Sequence, residues 1–92
     1  MIAKRLFVRG RVQGVGYRDS MVDAAMASGV VGWVRNRRDG TVEALVQGDA
    51  ESVERVLTWC RRGPPAARVT SVETLAAPAD PAIDSFECRA TE

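Results

Sequence analysis

The chain has 92 residues, enough for one small domain around a single hydrophobic core and too few for two. Its apolar fraction of 46% and charged fraction of 27% are ordinary for a water-soluble globular protein, and no apolar run approaches the roughly 18 residues that a membrane span needs. The net charge of +1 conceals an asymmetry: residues 1–38 carry eight basic side chains against Asp19 and Asp23, whereas residues 39–92 hold five basic and ten acidic ones.

A positive front half attracts anions, either a small phosphorylated ligand or a nucleic acid, unless the charges mix in space once the chain folds. The opening MIAKRLFVRGR interrupts its apolar residues with charges, unlike a signal-peptide core. A cytoplasmic protein is expected. Cys60 and Cys88 form no metal-type cluster, so two reduced thiols packed as small apolar groups are expected, with a disulfide as the alternative.

In residues 5–12, Leu6, Val8 and Val12 alternate with Arg5, Arg9 and Arg11, which predicts a strand with one buried face. The period then lengthens. Val22, Ala25, Met26 and Gly29 recur at helical spacing, so a helix is expected over 18–28 with Gly29 as its stop. A second strand over 30–36, a turn at 37–40 carrying Asp39-Gly40, and a third strand over 41–47 read as a hairpin. Asp49 is a fitting N-cap for a second helix whose buried stripe is Val53, Val56, Leu57 and Cys60. Arg61 and Arg62 suit its last turn, and Gly63-Pro64-Pro65 ends it. A fourth strand over 66–76, a Pro-rich connection and a short fifth strand over 85–90 complete the chain. The order β-α-β-β-α-β predicts an α+β, ferredoxin-like split βαβ sandwich, with an antiparallel sheet and both helices on one face. Residues 1–92 are expected to form one domain.

The stretch RVQGVGYRD, 11–19, is where the strand turns through Gly14 and Gly16 into the first helix. Such a turn can aim several backbone N–H groups, with the helix N-terminus, into one concavity that suits an anion. Glycine is needed there for a positive φ or for close backbone approach. Arg18 would stand at the rim, where its planar fork can grip two phosphate oxygens. The alternative is a glycine turn beside an ordinary surface arginine. Neither the Walker pattern nor a dinucleotide-binding G-x-G-x-x-G is present, since Asp19 stands where the third glycine belongs.

Taken together, GRVQGVGYR at 10–18, GWVRNRRDGTVE at 32–43 and RRGPPAARV at 61–69 closely resemble the acylphosphatase family over nearly the whole chain. The resemblance implies a small ferredoxin-like hydrolase that cleaves the carboxyl–phosphate anhydride of acyl phosphates without metal or cofactor. It further implies that the phosphate sits on the backbone of Gln13, Gly14, Val15, Gly16, Tyr17 and Arg18 and on the Arg18 side chain. Asn36 would position the attacking water. Asp19 departs from the aromatic or aliphatic residue of many relatives; lying about 100° round the helix from Arg18, it need not face the phosphate. Were it to do so, it would weaken binding by repulsion.

With no histidine in the chain, any histidine base or phosphohistidine is excluded. Asn36 as a plain hairpin residue, Trp33 as packing, Tyr17 as packing with an edge contribution to the site, and Arg35, Arg37 and Arg38 as a solvated turn are the bland readings of these residues. A non-catalytic phosphate- or RNA-binding ferredoxin-like module is the rival function, with Phe7 and Trp33 as the plausible stacking aromatics. The expected partner is a small-molecule acyl phosphate, with no nucleic acid, no membrane and a monomeric chain.

Overall fold

The computed structural model describes residues 1–92. Its elements in chain order are β1 (Ile2–Arg11), α1 (Tyr17–Ser28), β2 (Val31–Asn36), β3 (Val42–Gly48), α2 (Ala50–Arg62), β4 (Arg68–Ala77) and β5 (Phe86–Cys88). The sheet order is β4-β1-β3-β2-β5. β3 therefore lies between β1 and β2 and splits the first βαβ unit, which is the ferredoxin-like arrangement. The β1–β3, β1–β4 and β2–β3 pairs are antiparallel, as expected; the short β5 adds a parallel rung beside β2.

Side-chain alternation along the strands divides the sheet into two faces. Leu6 and Val8 of β1, Val34 of β2, and Val42, Ala44 and Val46 of β3 point to the helices and join Tyr17, Met21, Ala25, Val53, Val56, Leu57 and Cys60 in the main core. The opposite face carries a small apolar cluster of Ala3, Trp33 and Leu45, against which Ala77 and Ile83 pack. Buried Gln47 exchanges two hydrogen bonds with the backbone of Asp80, at 2.8 and 2.9 Å, and so pins the Pro-rich connection over this face. No helix is long and apolar enough to cross a membrane.

α2 follows its pattern, with Val53, Val56, Leu57 and Cys60 buried and the Asp49 carboxylate accepting from the Ser52 N–H at 2.9 Å. α1 does not. Its buried residues are Tyr17, Met21 and Ala25, while Met26 is 67% exposed. Tyr17 sets this phase: its ring lies 5.3 Å from that of Trp59, and its hydroxyl donates to the Cys60 carbonyl at 2.7 Å. With that anchor in place, Met26, one position beyond Ala25, is turned about 100° away from the core.

The two cysteines are free, but only Cys60 is packed inside; Cys88 is exposed on the short edge strand, contrary to the expectation of two packed thiols. Burial pushes the Cys60 thiol up to about 12, which leaves it protonated and unreactive at neutral pH. A thiol-alkylating reagent should therefore label one cysteine of the native protein, Cys88, and both after unfolding. Peptide mapping of the labelled sites checks this.

Candidate active site

The residues singled out in the sequence come together where the β1–α1 loop faces the end of β2. Gly14 and Gly16 have φ of 73° and 78°. A Cβ at either would meet nothing within 4 Å, so it is handedness and not crowding that calls for glycine. An L-residue in that region costs about 1–2 kcal/mol. Gly16 is also the N-cap of α1, and no side chain caps the helix there. None of the N–H groups from Gly14 to Asp19 donates to another loop, turn or cap carbonyl. They are donors aimed away from the chain's own acceptors, at the positive end of a helix.

The loop is tied down at both ends. The Gln13 side-chain amide donates to the carbonyls of Arg37 and Thr41, at 2.7 and 2.9 Å, and so binds the start of the loop to the β2–β3 turn. That turn is itself closed by Asp39, whose carboxylate accepts from the Thr41 hydroxyl and N–H at 2.6 and 2.9 Å. These bonds hold the Asp39 carboxyl below the usual carboxylate range. At the other end, the fully buried Tyr17 locks the loop to the last turn of α2. Burial, with a smaller effect from Cys60, pushes its phenol far above the ordinary value, so it remains neutral.

A cavity of about 170 Å³ is lined by Val12, Gly14, Gly16, Tyr17, Arg18, Asp19 and Asn36. Arg18 is half-buried, and its side chain makes neither a salt bridge nor a hydrogen bond within the chain. Asn36 ends β2 on the helix-facing side, opposite Val42. Its Oδ1 is buried and has no hydrogen-bond partner. An unsatisfied buried acceptor costs about 1–3 kcal/mol, and in a folded chain it calls for an explanation. A water or a ligand group held in the cavity supplies one.

Some residues lie otherwise than expected. Gln13 and Val15 belong to the loop but do not line the cavity: the first turns its side chain to the hairpin, and the second packs against the core. Asp19, one helical step from Arg18, does line it, because the first turn of α1 runs along the cavity rim. Arg35 and Arg37 are not solvated turn residues; both bind Glu43, which leaves Arg38 as the exposed one. The sequence reading missed Glu43, although its place opposite Arg35 follows from the hairpin register. Larger hollows exist, such as one of about 660 Å³ along the outer face of α2. It mixes Glu51 and Glu54 with Arg55 and Arg62, so its charges offset one another.

A ferredoxin-like fold in which the β1–α1 loop presents free amides, the first turn of α1 an unpaired arginine and the end of β2 an unsatisfied asparagine has the features of a small anion-binding domain. The acylphosphatase family model matches residues 4–88. The chain is 61% identical to an acylphosphatase of Acidiphilium cryptum over 92 residues, which is 99% of each chain, and 54% identical to one of Acidovorax over 98% of this chain and 92% of that one. The crystal structure of the Bacillus subtilis acylphosphatase superposes with a TM-score of 0.92 at 31% identity, covering 97% of this chain and 99% of that one. This chain belongs to the acylphosphatase family.

Proposed function

We propose that the chain cleaves acyl phosphates with the phosphoryl group seated on the 13–18 loop, gripped by Arg18, and attacked by a water that Asn36 orients. That it is an enzyme of acyl phosphate hydrolysis follows from the family; the division of roles rests on the site. The observation that carries it is the buried, unpartnered Asn36 Oδ1 in the same small cavity as the unpaired Arg18.

The chemistry suits these groups. The leaving carboxylate is the anion of an acid with a pKa of roughly 4, so it departs without a general acid. Phosphoryl transfer runs through a loose transition state in which positioning and charge stabilisation supply most of the catalysis. Loop amides and Arg18 stabilise the equatorial oxygens. Asn36 accepts a hydrogen bond from the water through Oδ1 and so sets its line of approach. As the water oxygen bonds to phosphorus, the bond to the acyl oxygen breaks and its electron pair leaves with the carboxylate. The water's proton passes to a phosphate oxygen, since asparagine is no base. Nothing in this scheme requires a metal or cofactor.

Asp19 sets an opposing charge at the mouth. Asp19→Asn should therefore tighten competitive inhibition by inorganic phosphate severalfold, measured at constant ionic strength; weaker inhibition would mean that the carboxylate helps to hold the ligand.

Trp33 is 6% exposed, with the guanidinium carbons of Arg35 and Arg89 at 4.8 and 5.0 Å from its ring centroid. A covered ring is a poor platform for stacking bases, which favours the small-molecule reading over an RNA-binding one. We further infer a monomer working in the cytoplasm. Hydrolysis of benzoyl phosphate by the purified chain in the presence of EDTA tests the function. Turnover that resists chelation is expected; a folded protein that binds phosphate without turnover would instead be a binding module.

A further inference from the structure

On the sheet face turned away from the helices, β3 places Glu43 directly across from Arg35 of β2 and Phe7 of β1. The side chain is 2% exposed although no helix covers it; arginines do. Its Oε1 accepts from Arg35 Nε at 2.8 Å and from Arg37 Nη1 at 2.8 Å, and Arg5 Nη1 lies 3.7 Å from Oε2. Burial on its own would raise this carboxyl; the bonds from Arg37 and Arg35 outweigh it and hold it below the usual carboxylate range. It is therefore a carboxylate under working conditions.

Arg35 and Arg37 are the two neighbours of Asn36 in the chain. One carboxylate oxygen thus holds both flanks of Asn36 on one face while the Asn36 side chain points to the other. The same strand end also pairs with β3 through Arg35–Glu43 and Asn36–Val42. Arg37 N–H donates to the Thr41 carbonyl at 2.8 Å, Glu92 N–H donates to the Asn36 carbonyl at 3.1 Å, and Gln13 tethers the Arg37 carbonyl. Arg35 Nη1 makes a second ion pair, with Glu92 Oε2 at 2.8 Å. Of the two carboxylates, only Glu43 is buried and reaches both flanks. Ordinary strand ends fray. A catalytic amide must stay within a few tenths of an ångström of its working position. We propose that Glu43 is a positioning residue for the hydrolytic water: through Arg35 and Arg37 it fixes the backbone on both sides of Asn36, and so the direction of Oδ1.

The proposal rests on the role given to Asn36, and a double-mutant cycle separates the two. Glu43→Gln keeps the shape and removes the charge. It should lower kcat on benzoyl phosphate about tenfold while inhibition by inorganic phosphate, which reports on the loop and Arg18, changes less than twofold. In an Asn36→Ala background the same substitution should have no further effect on kcat. Glu73→Gln, which loses the same charge from an exposed 3.7 Å pair with Arg9, should leave kcat unchanged.

Should Glu43→Gln not fold, Arg37→Leu removes one arm of the clamp and should lower kcat about threefold with the same silence in the Asn36→Ala background. An unchanged kcat in Glu43→Gln, or in Arg37→Leu where only that variant folds, overturns the proposal. So does an equal loss with and without Asn36, or a parallel loss of phosphate binding. Wild-type activity in Asn36→Ala alone overturns the role of Asn36 first, and the clamp with it.

Discussion

Replacing Asn36 by alanine should abolish most turnover while leaving the fold as stable as before. Losing one electrostatic or orienting group from an active site typically costs about 10²–10³ in rate, and Asn36 is the only side chain assigned to contact the water. Its Oδ1 is buried without a partner in the chain. Removing an unsatisfied acceptor relieves a desolvation cost, so the melting temperature should hold or rise. The pairing of a large activity loss with no stability loss distinguishes a functional asparagine from a hairpin residue, whose removal would do the reverse. Asn36→Asp should be no better than alanine, because a carboxylate there faces the phosphate. Steady-state kinetics beside a thermal melt of each variant decides the matter.

Arg18→Ala should cost more, at least about 10³-fold in kcat/KM, on the scale of an arginine that stabilises phosphoryl-transfer charge. The side chain has no carboxylate partner in the fold, so its loss breaks no ion pair. Inhibition by inorganic phosphate should vanish together with turnover, which is not expected for Asn36→Ala. Arg18→Lys should recover little, because an ammonium cannot offer the planar two-point grip. If the lysine variant kept most of the activity, Arg18 would be acting as a general positive charge near the mouth and not as a ligand of the phosphate.

The elements were legible because their signals are local. The glycine turn, the Asp39-Gly40 hairpin, the Asp49 cap and the Gly63-Pro64-Pro65 stop each act within a few residues, and all seven elements stand in the expected order. What the sequence left hidden depends on partners far along the chain. The rotation of α1 is decided by Tyr17 meeting Trp59 and the Cys60 carbonyl, more than forty residues away, so Met26 looked buried and is not. Arg35 and Arg37 looked like turn charges because the strand alternation that turns Glu43 outward says nothing about which cations will cover it. For the same reason the basic front half did not announce an anion site by its charge alone: Arg5, Arg35 and Arg37 surround Glu43. Arg18 and Asn36 were readable only through their motifs, and it is the folded chain that brings them to one cavity.

The most direct test of the mechanism is the fate of the water oxygen. Benzoyl phosphate should be hydrolysed by the enzyme in ¹⁸O-enriched water, at high enzyme concentration so that spontaneous hydrolysis is negligible, and both products analysed by mass spectrometry. Attack at phosphorus by a water held at Asn36 predicts that the label enters inorganic phosphate and that benzoate stays unlabelled. Label in benzoate would mean attack at the carbonyl carbon, and would contradict an active site built around the phosphoryl group.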